Sequence, residues 1–246
     1  PLSAAKPVHL IFVGGFLGAG KTTAIAALAR RLLQDGLNVG LVTNDHADEM
    51  VDSALVSQFG MPVAEVSGGC FGCEFNDLID ATERVLLQEP DVLIAEPVAS
   101  CADTVATVIL PLKQFYGGVF RIAPFSVLID PMRLYEMLIE ENPSEFARSF
   151  SPIFHRQLEE SDILVLNKVD RLSSEEVHRL VEALRQHHPN KAVLSISAKR
   201  GDGVDEWMQM VMQEAPAGSR VLEKADYSAY EIGGAKLGWL NASVQL

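Results

Sequence analysis

Three glycines, a lysine and two threonines crowd into the short segment Gly15-Phe16-Leu17-Gly18-Ala19-Gly20-Lys21-Thr22-Thr23. The spacing from Gly15 to Thr22 fits G-x-x-x-x-G-K-[ST], directly after the apolar run 8–13 and directly before a helical pattern over 23–33. Residues of this kind cradle phosphate. Gly15, Gly18, Ala19, Gly20 and Thr23 offer backbone N–H groups that close around the oxygens, and the start of the helix adds the positive end of its dipole. Lys21 reaches the outer phosphates, and the Thr22 hydroxyl can ligate magnesium. The alternative is an ordinary glycine-rich turn, and the strand before it and helix after it argue against that.

A second set sits much later, at Asn167-Lys168-Val169-Asp170, after the apolar run 163–166. A carboxylate such as Asp170 accepts from both the ring N–H and the exocyclic amino group of guanine, a bidentate match that adenine does not offer. Ser197-Ala198-Lys199 follows another apolar run, at the place where GTPases put a Ser-Ala-Lys loop that touches the base through backbone N–H. Each short match alone is weak. In this chain order, each at the end of a strand and with the phosphate loop before them, they favour GTP over ATP. The competing reading of Asp170 is an N-cap for the next helix.

The third set is Gly69-Cys70-Phe71-Gly72-Cys73-Glu74. Two thiols separated by two residues can turn both sulfurs toward one soft cation, and the flanking glycines permit that turn. A redox dithiol and a pair of small buried hydrophobes remain alternatives. Further ligands would be needed for four-coordination, and His46, Glu65, Glu74 and Cys101 are the candidates. A single loop His such as His46 is more often a surface residue than a ligand, and Cys101, in a helix-like stretch, is expected to be buried.

These sets need a scaffold that brings distant loops together. Short apolar runs at 10–13, 39–43, 92–95, 125–129, 163–166 and 192–196 alternate with helical patterns. Near-continuous apolar strands between helices predict an α/β fold, a doubly wound, mainly parallel sheet with helices on both faces. Ligands in such sheets gather at the carboxyl ends of the strands, which places Asp45, Glu96, Asp130 and Asn167 on one rim. Gly36 reads as a helix stop, and Ser173 reads as an N-cap ahead of Glu175 and Glu176.

At 246 residues and 48% hydrophobic, the chain can bury one large core. Residues 1–215 are expected to form the P-loop domain. Residues 216–246 read as a linker and short tail, the start of a further element that the sequence does not complete. A formal net charge of −13 argues against a nucleic-acid partner. Nothing resembles a secretion signal or membrane span, and three cysteines make no paired disulfide framework, so the expected location is cytoplasmic, with reduced thiols.

The loop GGFLGAGKTT, the Gly-Cys-x-x-Cys segment between the second and third expected strands, a strand ending in Glu96 and the late NKVD resemble the CobW family of metallochaperone GTPases, relatives of the GTPases that deliver nickel to hydrogenase and urease. The resemblance runs from about Val8 to Trp207. It implies GTP hydrolysis coupled to binding and handing over zinc, cobalt or nickel to a client metalloenzyme or cofactor-dependent protein, with a GTP-dependent homodimer by analogy. Carried over by position, Lys21 and Thr22 are the phosphate and magnesium residues, and Asn167, Lys168 and Asp170 the guanine set. Asp45 falls in the family's switch and is a candidate magnesium or water-positioning carboxylate; Asp45 and Glu96 together are the candidates for holding magnesium and orienting the attacking water.

Three departures stand out. Gly72 occupies the middle cysteine of the family's Cys-x-Cys-Cys, leaving Cys70 and Cys73. The switch reads Glu96-Pro97-Val98-Ala99, with Ala99 where the family has glycine. Relatives usually continue into a second domain, which is expected to be absent here or cut to Asp226–Leu246. A regulatory GTPase that docks on a partner without carrying metal, or a remodeller that loads a corrin-like cofactor, would also suit these departures. No built-in arginine finger stands out beyond a weak candidate, Arg133, so slow intrinsic turnover is expected.

Overall fold

The computed structural model describes residues 2, 4, 6–44, 61–67 and 69–213. The expected boundary at 215/216, the tail, Asp45 and His46 lie outside the described residues. The strands are β1 (Val8–Gly15), β2 (Val39–Thr43), β3 (Val63–Glu65), β4 (Val92–Glu96), β5 (Phe120–Ile122), β6 (Ser126–Ile129), β7 (Ile163–Leu166) and β8 (Ala192–Ser195). The helices are α1 (Lys21–Gln34), α2 (Phe75–Leu86), α3 (Leu110–Tyr116), α4 (Pro131–Leu134), α5 (Glu145–Glu160), α6 (Ser174–His187) and α7 (Val204–Met212). Wider π-helical turns lead into α3 at Val105–Ile109 and follow α4 at Tyr135–Ile139.

The strands pair in the order β3-β2-β4-β1-β6-β7-β8, all in parallel. β5 also pairs in parallel with β1, against its first residues, while β6 pairs with its last. The reason for the apolar runs is visible in β1: Leu10 and Phe12 join one core, Ile11 and Val13 the other. Successive side chains of a strand point to opposite faces, so a strand covered on both sides must be apolar throughout. α2, α3, α5 and α6 contribute to the first core, and α1 and α7 to the second. The doubly wound α/β fold is therefore as expected.

Two strands were not anticipated. β3 and β5 are three residues each; β3 follows Pro62 and β5 carries the exposed Arg121 at its centre, so neither offers a clear apolar run. As a consequence the cysteine segment lies between the third and fourth strands, and not the second and third. Cys101 is buried as expected, but it sits in a loop and not in a helix. The backbone there turns through Asp103 at φ +64° before the helical turns begin. Helix punctuation is otherwise as read: Gly36 adopts φ +82° after α1, and Ser173 and Glu176 form a capping box at α6.

α5 holds the loop that links β4 to the π-helical turn. Gln157 donates from Nε2 to the carbonyls of Ala99 and Cys101 at 2.9 and 2.8 Å. Arg156 donates from Nε to Asp103 at 2.7 Å, and Glu160 accepts from the N–H groups of Asp103 and Val105 at 2.6 and 2.9 Å. Burial pushes the Glu160 carboxyl up from 4.5 to about 7, against those two N–H bonds and Arg156, which favour its charged form. The native state thus holds a proton that the unfolded chain releases over that interval, so this group costs stability as pH rises from 4.5 to about 7, and the cost is complete above that. Glu160→Gln cannot ionise. Melting curves of the two proteins should show their difference moving in the variant's favour between pH 4.5 and about 7 and then levelling off; parallel profiles would contradict the assignment.

Candidate nucleotide site and thiol cluster

Because the paired strands are parallel, their carboxyl ends meet on one rim, and the loops after β1, β4, β6, β7 and β8 converge there. The loop after β1 is pinned from below by Phe16, whose buried ring lies 6.5, 5.9 and 6.3 Å from those of Phe146, Phe150 and Phe154 in α5. Such edge-on and tilted pairs add about 0.5–1.5 kcal/mol each beyond burial. Gly20 precedes α1 in the left-handed conformation, φ +83°, and supplies no side-chain cap to the helix. The first-turn N–H groups of α1 therefore meet no capping oxygen from that residue, an arrangement suited to an anion.

Lys21, Thr22 and Glu96 come together. Lys21 Nζ lies 3.9 Å from Glu96 Oε1, with both side chains about nine-tenths buried, and the Thr22 hydroxyl is 3.3 and 3.5 Å from the two carboxylate oxygens. The register of β2 with β4 sets Thr43 opposite Glu96, and the Asn44 N–H donates to the Glu96 carbonyl at 2.9 Å. Asn44 then reaches the other way: its Nδ2 donates to the carbonyls of Val66 and Gly69 at 3.1 and 2.6 Å, tying the end of β2 to the segment that enters Cys70.

Asn167, Lys168, Asp170, Ala198 and Lys199 join Gly20, Thr23 and Arg171 around a cavity of about 460 Å³. Asn167 is fully buried. It donates to the Ala19 carbonyl at 2.9 Å and accepts from the N–H groups of Lys168 and Ala198 at 2.8 and 3.1 Å. Lys168 adopts φ +61°, a conformation costing of order 1 kcal/mol for a non-glycine residue. Its ammonium is held by Asp130 at 2.8 Å and by the Gly18 carbonyl. The Ser197 hydroxyl donates to Asp170 at 2.7 Å and is the main cause holding that carboxyl below its ordinary range. Asp170 does not cap α6; Ser173 does.

Sequence reasoning placed Asp130 on the rim without a role. It both caps α4, accepting from the N–H groups of Met132 and Arg133, and fixes Lys168. The Asp-Pro pair at 130–131 was the available signal, since Asp at an N-cap and Pro at the first helical position mark a helix start. Arg133 points to other work: it pairs with Glu136 at 2.8 Å and stacks 4.5 Å over the Phe146 ring.

Cys70 and Cys73 also come together, their sulfurs 2.7 Å apart, with the Cys73 N–H donating to Cys70 Sγ at 3.2 Å. Fully buried Phe71 anchors the turn between them. The Cys70 thiol is brought down to about 5, with Cys101 the first cause, and Cys101 itself is raised well above its ordinary range by Cys70 and by burial. Among the described residues no three His, Cys, Asp or Glu side chains form a ready-made metal-holding group. Glu65 and Glu74 thus do not complete one in this state.

The chain's relatives agree with this architecture. The profile described as CobW/HypB/UreG, nucleotide-binding domain, matches residues 9–195, and the chain belongs to that family. It is 27% identical over 217 residues to the zinc chaperone CobW of a Sinorhizobium species, covering 77% of this chain and 58% of the relative. It is 25% identical over 195 residues to the hydrogenase maturation factor HypB of Escherichia coli, covering 78% and 58%. The chain thus spans little more than half the length of these relatives. Among solved structures, HypB from Archaeoglobus fulgidus superposes with a TM-score of 0.56 at 17% identity, over 82% of this chain and 87% of that one. HypB from Helicobacter pylori in complex with nickel superposes at 0.57 and 15% identity, over 82% and 84%, a likeness of fold.

A Cβ at position 20 would lie 2.7 Å from Asn167 Nδ2, on a backbone angle that side chains rarely adopt. Gly20→Ala should therefore leave the melting temperature within a few degrees of wild type while weakening binding of a fluorescent guanine nucleotide at least ~100-fold, about 2.7 kcal/mol. Unchanged affinity would dissociate this loop from the nucleotide.

Proposed function

We propose that this protein is a GTP-hydrolysing metallochaperone, in which the nucleotide state governs binding of a transition metal, zinc, cobalt or nickel, and its transfer to a client metalloenzyme or cofactor-dependent protein. The observation that carries the reading is the continuous connection from Glu96, beside Lys21 and Thr22, to the Cys70–Cys73 pair. It runs through Asn44, whose N–H donates to the Glu96 carbonyl and whose side-chain amide holds the Gly69 carbonyl next to Cys70.

Asp170 accepts from guanine, Asn167 and Ala198 shape the base pocket, and Lys168, braced by Asp130, walls it. Gly15, Gly18, Ala19, Gly20 and Thr23 line the phosphates with backbone N–H. Lys21 and the start of α1 offset negative charge on the outer phosphates as it shifts during hydrolysis. The oxygen donors Thr22 and Glu96, with Asp45 a further candidate, suit magnesium, which when bound offsets phosphate charge. Glu96 then turns from Lys21 toward the attacking water. Arg133 is engaged by Glu136 and Phe146, so intrinsic turnover is slow and a partner accelerates it. A GTP-dependent homodimer across the nucleotide face would be one such partner.

The absence of a ready three-ligand group among the described residues favours a second reading, a regulatory GTPase that docks on an enzyme without metal. Titrating zinc, cobalt and nickel into the reduced protein separates the two. The metallochaperone reading expects tight binding that Cys70→Ser/Cys73→Ser removes without loss of GTP affinity; equal, weak binding in both proteins would leave the regulatory reading. For the nucleotide half, Lys21→Ala should lower GTP turnover at least ~100-fold. Asp170→Asn should weaken GTP at least ~10-fold and favour xanthosine triphosphate, whose carbonyl replaces the amino group, because an amide can donate where a carboxylate cannot. Retention of full GTP selectivity by Asp170→Asn would move guanine recognition elsewhere.

A further inference from the structure

The cysteine turn is held in shape by the fold around it. Fully buried Phe71 anchors its middle, the Glu74 N–H closes it on the Cys70 carbonyl at 2.9 Å, and the Asn44 amide fastens the Gly69 carbonyl at 2.6 Å. At Gly72 a Cβ would stand 2.4 Å from the Thr107 hydroxyl, so the chain between the two cysteines is pressed against the neighbouring helical turn. The outcome is two sulfurs 2.7 Å apart, with the Cys73 N–H donating to Cys70 Sγ at 3.2 Å. Two thiolates on one zinc, each at about 2.3 Å and in tetrahedral geometry, stand about 3.8 Å apart, whereas a disulfide joins them at about 2.05 Å. The pair thus rests nearer to the bonded distance than to the chelating one.

We propose that Cys70 and Cys73 form a reversible disulfide by exchange with a low-molecular-weight disulfide, and that this bond closes the pair to metal. The first half stands on the geometry of the turn. The second rests on the metallochaperone reading and supplies a regulation of its metal site.

Access and context agree with it. Cys73 is exposed and Cys70 half-buried, so a small disulfide reaches the pair, while Cys101 is only 7% exposed. The pair stands between β3 and α2, and α2 leads on to β4, with β3 and β4 both parallel to β2. A C-x-x-C motif in such a strand–helix–strand unit is suited to redox work. The ring it closes is short and lies at the surface, so the bond constrains the unfolded chain little and is readily reduced. Reversibility follows from that.

The exchange balances without any further reactant. Cys73 gives its proton to solvent, its sulfur attacks one sulfur of the external disulfide, and one external thiolate leaves. Cys70, deprotonated in turn, attacks Cys73 Sγ in the mixed disulfide and displaces the second. The protein gives up two electrons and two protons, and the external disulfide takes them up as two thiols. In the closed state neither sulfur retains the thiolate charge that a soft cation requires.

The test equilibrates the full chain with oxidised and reduced glutathione over a series of ratios, quenches with acid, alkylates the remaining thiols and reads intact and peptide masses. The three free thiols should fall to one, with Cys70 and Cys73 linked and Cys101 alkylated, and excess reduced glutathione should restore all three. Three thiols at every ratio, a persistent glutathione adduct in wild type, or a bond to Cys101 would each overturn the proposal. Cys70→Ser lacks the resolving sulfur and should accumulate a glutathione adduct on Cys73 at least ~10-fold above wild type; no accumulation overturns the exchange as written. Zinc and cobalt titrations with a non-hydrolysable GTP analogue present then read the gate. The reduced form should bind metal at least ~10-fold more tightly than the disulfide form, and equal, tight binding by both overturns the gate. Metal binding by the reduced chain with no disulfide at any ratio overturns this inference and leaves the metallochaperone reading intact. A disulfide with no metal binding in either form overturns that reading and the gate together, and supports the exchange alone.

Discussion

The nucleotide face depends on one buried side chain. Asn167 hydrogen-bonds the Ala19 carbonyl of the phosphate loop, the Ala198 N–H after β8 and the N–H of its own neighbour Lys168. Three loops from three strands therefore share one amide. The bonds to Ala19 and Ala198 are buried, and an unmatched buried polar group costs about 1–3 kcal/mol, so those loops hold their relative positions or lose that much. Gly20 is glycine for the same reason: Asn167 fills the space a side chain would need. The strained backbone of Lys168 is held in place by Asp130 and Gly18, which fixes the wall of the cavity.

α5 does for the thiol side what Asn167 does for the base side. Its Phe150 and Phe154 seat Phe16 of the phosphate loop, and one turn further on Arg156, Gln157 and Glu160 hold the loop after Glu96. One rigid helix thus touches both the phosphate loop and the segment bearing Cys101. The buried carboxyl of Glu160 is costly to ionise, yet it satisfies two backbone N–H groups that would otherwise be stranded where the chain turns at Asp103. A loop fastened this way keeps its backbone in register with α5.

Much of this was legible in the sequence where chemistry is local. The phosphate loop, the NKVD set and the alternating apolar runs each carry their meaning in a few consecutive residues, and parallel pairing alone then brings the strand ends to one rim. The contacts that fix the site were not legible, because they join distant residues: Asn167 to Ala19, Gln157 to Cys101, Thr107 against Gly72. No periodicity announces such pairs. Cys101 was read as buried, which it is, but its place in a loop and not a helix depends on the left-handed turn at Asp103, held by Arg156 and Glu160. The short strands β3 and β5 were missed because three residues are too few to show a pattern.

The account's central claim is that the nucleotide and the thiols are energetically coupled, and linkage makes that claim reciprocal. The direct measurement is a closed cycle on one preparation: zinc affinity with GDP and with a non-hydrolysable GTP analogue, and the affinity of each nucleotide with and without zinc. The account predicts zinc binding at least ~10-fold tighter in the triphosphate state, about 1.4 kcal/mol, and the same factor returned as tighter binding of the triphosphate when zinc is present. Zinc affinity identical in the two states would contradict it.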